Sequence, residues 1–252
     1  MGIRAEGLMQ KLSHAQRIES LNLIIGRFKK MPVITVNHNY FSTPNANMAY
    51  IMGFLAADGN IQDKGNRIQS QLSIKDKEQL IQIQKEIGGC EVYEYSSNGY
   101  PCCGWHCYSA QIKHDLGIYG IIPHKTGHIY ISPLLPKEYW RDFIRGYFDG
   151  DGSIYKDKNG MRLTITSANI EILQDINAFF QEHGIHPSNY YDDHKNKDIR
   201  FRTQACIDIY NLLYYPGCLY LPRKKEKYLA LIREKYGSKR LCNFPKEVEK
   251  IC

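Results

Sequence analysis

Two aspartates, Asp58 and Asp151, close two segments that read alike: YIMGFLAADGNI over residues 50–61 and FIRGYFDGDGSI over residues 143–154. Gly53 aligns with Gly146 at the same separation as Asp58 with Asp151. Read as helices, the segments place Gly53 and Ala57 on one face, and Gly146 and Gly150 on the corresponding face. Small residues four apart let two helix backbones approach closely. If the helices lie side by side and point the same way, both carboxylates arrive together at their C-terminal ends. Two like charges held close are unfavourable without a cation. The partial negative charge of the helix ends adds to that need. Carboxylate oxygens suit Mg²⁺, which binds through one or two of them while keeping waters and phosphate oxygens. The pattern predicts Mg²⁺ between Asp58 and Asp151, with Mn²⁺ or Ca²⁺ able to substitute in binding, and phosphodiester hydrolysis as the chemistry.

The elements that position these groups also recur, as a repeat architecture requires. Leu72-Ser73-Ile74 parallels Leu163-Thr164-Ile165. Amphipathic helices follow, over 76–87 with Leu80, Ile83 and Ile87 on one face, and over 168–182 with Ile172, Ile176, Phe179 and Phe180. Gly88–Gly89 and Gly184 end them, as glycines do just past a helix. A shorter helix is expected near 109–119 and again near 203–214. Each copy then carries a Pro-x-Lys, at Pro123-His124-Lys125 and Pro222-Arg223-Lys224. Pro133 and Pro136 mark the boundary between copies. The expected organisation is an extension over 1–45, a first repeat over 46–137, a second over 138–236 and a tail over 237–252. Ser13-x-x-Gln16 and the spacing of Ile18, Leu21, Ile24, Ile25 and Phe28 predict a helix within the extension.

IMGFLAADG (51–59) and IRGYFDGDG (144–152) resemble the signature of the LAGLIDADG homing endonucleases, in the single-chain form with two motifs. The resemblance covers nearly everything beyond residue 45. It implies an α+β fold of two pseudo-symmetric αββαββα repeats, with antiparallel sheets forming a DNA-binding saddle and the active site on the pseudo-twofold axis. It implies that Asp58 and Asp151, at the eighth motif position, hold the metal. The sixth position is Ala56 in one copy and Asp149 in the other, so Asp149 takes a secondary, structural role. A basic residue near each scissile phosphate is a further implication, and the Pro-x-Lys context assigns it to Lys125 and Lys224. A lysine there stabilises charge on the phosphate or orients the attacking water.

Strand parity supplies a recognition face. With Leu72 and Ile74 turned inward, Gln69, Gln71 and Ser73 turn outward; with Leu163 and Ile165 inward, Arg162, Thr164 and Thr166 turn outward. Gln62 and Lys64 in the first copy, and Tyr155 in the second, fall where a first saddle strand follows the motif. Glutamine suits adenine, arginine suits guanine, and serine or threonine suits either. Unequal outward sets predict an asymmetric target. A chain carrying both halves is expected to act as a monomer.

The formal net charge of +7 agrees with a polyanionic partner. No apolar run is long enough for a membrane span, and the N-terminus has no apolar leader, so action inside the cell is expected. The eight cysteines are then expected to stay reduced. Cys102, Cys103, His106 and Cys107 surround Trp105 but form no CxxC pair, and are read as hairpin residues rather than a zinc site. Double-stranded DNA is the expected partner. Two further roles remain open: binding intron RNA as a splicing aid, and binding DNA without cutting it. An intein is not expected, since the chain has neither a Cys or Ser start nor a terminal His-Asn.

Overall fold

The computed structural model describes residues 35–125, 127–193 and 196–236. The predicted extension helix and the tail from 237 lie outside them. The two repeats share one order of elements. The first runs α1 (Ala46–Asp58), β1 (Gly59–Ile61), β2 (Arg67–Ser73), α2 (Lys77–Ile87), β3 (Tyr93–Ser97), β4 (Tyr100–Tyr108), α3 (Ala110–Ile118). The second runs α4 (Trp140–Asp151), β5 (Gly152–Asp157), β6 (Gly160–Ser167), α5 (Ile170–Glu182), β7 (Asn189–Asp193), β8 (Asn196–Arg202), α6 (Thr203–Leu213), and adds α7 (Pro222–Tyr236). Each sheet is antiparallel and four-stranded, ordered β1-β2-β4-β3 and β5-β6-β8-β7. This is the αββαββα pairing expected from the sequence. Among the described residues no helix is long and apolar enough to cross a membrane.

The motif helices pack as their small residues require. A Cβ on Gly53 would stand 2.0 Å from the Phe143 carbonyl oxygen, and one on Gly146 would stand 2.0 Å from the Tyr50 oxygen. A Cβ on Gly150 would meet the Ala57 methyl at 2.3 Å. The helices therefore touch backbone to backbone. Around them, α1 is buried from Met48 to Ala56, and the inner sheet faces contribute Ile68, Trp105, Leu163, Ile165 and Phe201. The Asn45 side chain caps α1 by accepting from Met48 N at 2.9 Å. Gly88 (φ 86°) and Gly184 (φ 72°) turn the chain after the amphipathic helices, in a region other residues avoid.

The strand registers correct one alignment. Gly59 pairs with Ser70, and Gly152 pairs with Ile165. Ile68-Gln69-Ser70 is therefore the counterpart of Leu163-Thr164-Ile165, in place of Leu72-Ser73-Ile74. The shift is an even number of residues, so every inward or outward assignment survives it. Repetition of apolar residues at period two fixes parity but not register.

Candidate active site and nucleic-acid interface

Each motif helix passes straight into the first strand of its sheet, so its aspartate sits at the junction. Gly59 and Gly152 follow in extended backbone. A Cβ there would fall 2.5 Å from Leu55 O, or 2.0 Å from a Phe148 ring carbon, so only glycine fits so tight an exit. The two carboxylates meet across the helix pair. Asp58 Oδ2 is 3.3 Å from where a Gly150 Cβ would stand, one residue before Asp151. Both side chains reach solvent, yet the surrounding protein still displaces much of their hydration. That burial pushes both carboxyls above the usual carboxylate range; for Asp58 the charge of Asp151 pushes in the same direction, while Lys125 and Lys224 pull both down.

The two lysines converge on the same junctions. Neither motif helix has a basic residue in its last turn. Lys125 Nζ donates to Gly59 O at 2.6 Å and to Ala57 O at 3.4 Å. Lys224 Nζ donates to Phe148 O at 2.6 Å, and to Asp149 O and Gly152 O at 2.7 Å. Each lysine thus gathers carbonyls at a helix–strand junction, where the helix end concentrates partial negative charge. The neighbours of Lys224 are engaged elsewhere: Arg223 forks onto Asp76 at 2.7 and 2.8 Å, and Lys225 lies over the Tyr220 ring.

Lys224 does not stand at a surface facing phosphate, as a catalytic assignment implied. It is 6% exposed, and carbonyls take all three of its donors. Burial lowers its pKa to about 8, against the opposing charge of Asp149. Lys125 is half-buried and keeps one donor beyond its two carbonyl bonds. Burial lowers its pKa too, and Asp151 and Asp58 pull it back up.

Asp149 is a structural centre, as its motif position suggested. Its carboxylate accepts from Tyr50 OH and Leu221 N at 2.7 Å and from Tyr214 OH at 3.2 Å, so it ties both motif helices to the chain after α6. Burial raises its pKa, opposed first by Lys224. Tyr147 is a site residue that the sequence reading passed over. Its hydroxyl donates to Ser167 Oγ at 2.9 Å, and its nearness lowers the pKa of Asp151 against the effect of burial. The signal was present in the motif, because the aligned residue in the first copy is Phe54.

On the sheets, Gln69, Gln71 and Ser73 share the outward face of β2. Tyr155 and Thr166 are exposed on the second sheet. Arg162 and Thr164 also face outward by register, but they are 7% and 9% exposed. Long neighbours crowd this face: Tyr155 and Arg202 flank Arg162, Arg200 flanks Thr164, and Asp157 holds Arg162 Nε at 2.8 Å. Gln62 makes the last backbone bond beyond β1, to Arg67 O at 2.9 Å. Lys64 does not lie on a saddle strand; β1 ends at Ile61, and Lys64 occupies the turn beyond. Asn60, Arg67, Arg200 and Arg202 join the outward faces by register and were missed. Cys103 and Cys107 are buried on the helix side of β4, whereas Cys102 and His106 belong to the other side, so these four do not converge on one ion. No cluster of three or more His, Cys, Asp or Glu among the described residues is placed to hold a metal. The pair Asp58–Asp151 suits a cation that takes its remaining ligands from water and phosphate.

Residues 138–244 match the family model described as the LAGLIDADG-like domain. No curated protein matches the chain. Among solved structures, the chain is similar to the homing endonuclease I-WcaI bound to its DNA recognition sequence, at 17% identity and a TM-score of 0.52, covering 81% of this chain and 96% of that one. It is similar to the LAGLIDADG homing endonuclease I-GzeII in complex with its DNA target, at 15% identity and a TM-score of 0.50, covering 83% and 97%. Full-length DUF199/WhiA from Thermatoga maritima matches at 16% identity and a TM-score of 0.51, covering 85% and 71%. The second repeat thus carries a LAGLIDADG-like domain, and the chain as a whole has the fold of these proteins.

Proposed function

We propose that the protein is a site-specific endonuclease that hydrolyses both strands of a long, asymmetric double-stranded DNA target. The observation that carries this reading is the pair Asp58 and Asp151, raised in pKa and flanked by a lysine on each side, at the ends of two helices in backbone contact. A stability-driven design has no use for two carboxylates in mutual repulsion, and pKa perturbation of this kind marks sites of chemistry. Asp58 and Asp151 would hold Mg²⁺, whose contribution when bound is to polarise a phosphate and lower the pKa of a bound water. The chain supplies the rest. Tyr147 keeps the Asp151 pKa down, Lys224 neutralises the end of α4, and the remaining donor of Lys125 is available to a phosphate oxygen. The polar sheet faces bind the grooves on either side, and the chain acts as a monomer.

Incubation with a randomised duplex library and Mg²⁺, followed by sequencing of the ends, tests this. One recurrent cut site is expected, and no Mg²⁺-dependent ends in any sequence would refute it. DNA binding without cleavage is the second reading, favoured by the full engagement of Lys224; recovery of bound but uncut duplexes would support it.

A further inference from the structure

Among the described residues other than glycine, only Asn98 and His124 have a positive φ. Asn98 sits with Gly99 in the tight turn between β3 and β4, where that conformation is the usual one. His124, at φ 55°, lies outside any hairpin. A residue with a β-carbon keeps that conformation only where its surroundings require it, and such residues gather at ligand clamps. His124 is exposed, and with Lys125 it lines a cleft of about 360 Å³. Residues 59–63, the strand and turn that follow Asp58, and Ile122 complete the lining. Lys113 fixes the turn: from α3 its Nζ donates to Gln62 O, Asp63 O and Gly65 O, each at 2.8 Å. An ammonium thus takes up these carbonyls, and they do not make the cleft a cation site. Its polar side chains are Lys125, His124, Asn60 and Gln62, against one carboxylate, Asp63. That set suits an anion.

The second repeat is built differently. Its β5–β6 turn is residues 158–159 where the first uses 62–66, and α6 contains no lysine or arginine. Arg223 stands at the position of His124 and is forked onto Asp76. Lys224 stands at the position of Lys125, and carbonyls take its three donors.

We propose that the cleft seats the scissile phosphate of one strand, with His124 donating an N–H to a non-bridging oxygen beside Lys125, and that this strand is cut before the other. The proposal rests on the reading of Asp58 and Asp151 as a hydrolytic centre. Attack on phosphorus gathers negative charge on the non-bridging oxygens, and a donor already in place there stabilises it. The imidazole keeps its proton throughout. The phosphate that faces the second repeat meets no such pair, because Arg223 and Lys224 are engaged within the protein. A nicked duplex is therefore the intermediate.

The test uses a duplex that the full chain cuts, with its two strands labelled separately and followed in single turnover in Mg²⁺. The wild type is compared with His124→Phe, which keeps a ring and loses the donor, and with His124→Gln, which keeps a donor. Both variants retain a β-carbon at φ 55°, so the loop is under the same constraint, and thermal melts confirm folding. The wild type should accumulate duplex nicked in one strand. His124→Phe should slow that cut by about 10- to 100-fold, change the other by under about threefold, and leave duplex affinity in Ca²⁺ unchanged. His124→Gln should recover most of the loss. Equal rates for the two strands in the wild type would overturn the inference and leave the endonuclease reading standing. So would equal slowing of both cuts by His124→Phe, no slowing of either, or a His124→Gln chain as slow as His124→Phe. A wild-type chain that binds duplexes and cuts none would refute the hydrolytic reading itself, and the inference with it.

Discussion

The two motif helices share one backbone plan and differ in what they carry. Where α1 has Met52, Phe54 and Ala56, α4 has Arg145, Tyr147 and Asp149. The first helix is apolar on nearly every side; the second is threaded by a buried polar network. Arg145 donates to Leu213 O and Leu219 O at 2.7 Å and pairs with Asp142 at 2.8 Å. Asp149 takes Leu221 N, and three residues later comes Lys224 at the start of α7. The network thereby fixes the segment that delivers the second lysine. Among the described residues the first repeat has no counterpart of α7, and Lys125 arrives on a turn in which His124 adopts φ 55°. One half of the centre is built as scaffold, and the other keeps a donor in hand.

Breaking what the halves share should have the largest effect. Gly53→Val places side-chain atoms against the Phe143 carbonyl and should cost more than about 3 kcal/mol in chemical denaturation. Gly117→Ala is the control. Nothing lies within 4 Å of its added Cβ, and a helical alanine should stabilise by about 0.5–1 kcal/mol. Next comes the network. Asp149→Ala leaves Leu221 N and the Tyr214 hydroxyl unpaired in the interior, with Tyr50 OH keeping only Gln79, and should cost about 2–5 kcal/mol, whereas Tyr50→Phe should cost about 1 kcal/mol.

The lysines sharpen the comparison. Lys224→Met should lower stability and cleavage together, while Lys125→Met should lower cleavage by at least tenfold with a smaller change in thermal midpoint. The pKa of Lys224 is lowered in the folded chain, so above about pH 8 the unfolded state binds the proton that the native state releases. Stability should therefore rise with pH between there and the ordinary lysine range. Lys224→Met should flatten that rise, which pH-dependent melts will show.

Smallest is the effect of the carboxylates on metal-free stability. Their folded pKa values are raised, so the stability they contribute is present at low pH and is lost as pH rises through the folded values. Asp58→Asn should stabilise the metal-free chain at neutral pH by under about 1 kcal/mol, discounted for solvent screening, read as a small rise in thermal midpoint that vanishes in acid.

The sequence made the frame of the molecule legible through residues whose spacing has only one geometric use. Gly53 with Ala57, Gly146 with Gly150, and the two motif aspartates implied the helix pair, the repeats and the centre between them. The sheet register was hidden, because a period-two pattern looks the same after any even shift. Arg67 was lost with it. The burial of Lys224 was also hidden, since nothing in Pro-Arg-Lys-Lys distinguishes a buried lysine from a solvated one. Tyr147 was readable only by asking why one motif has a phenol where the other has Phe54.

The central claim is that both halves serve one hydrolytic centre. It is tested most directly by following each strand of a selected duplex in Mg²⁺ with the wild-type chain, Asp58→Asn and Asp151→Asn. Cleavage of both strands by the wild type, with each single variant losing at least one strand cut by about 100-fold or more, is the predicted result. Undiminished cutting of both strands by either variant would contradict it.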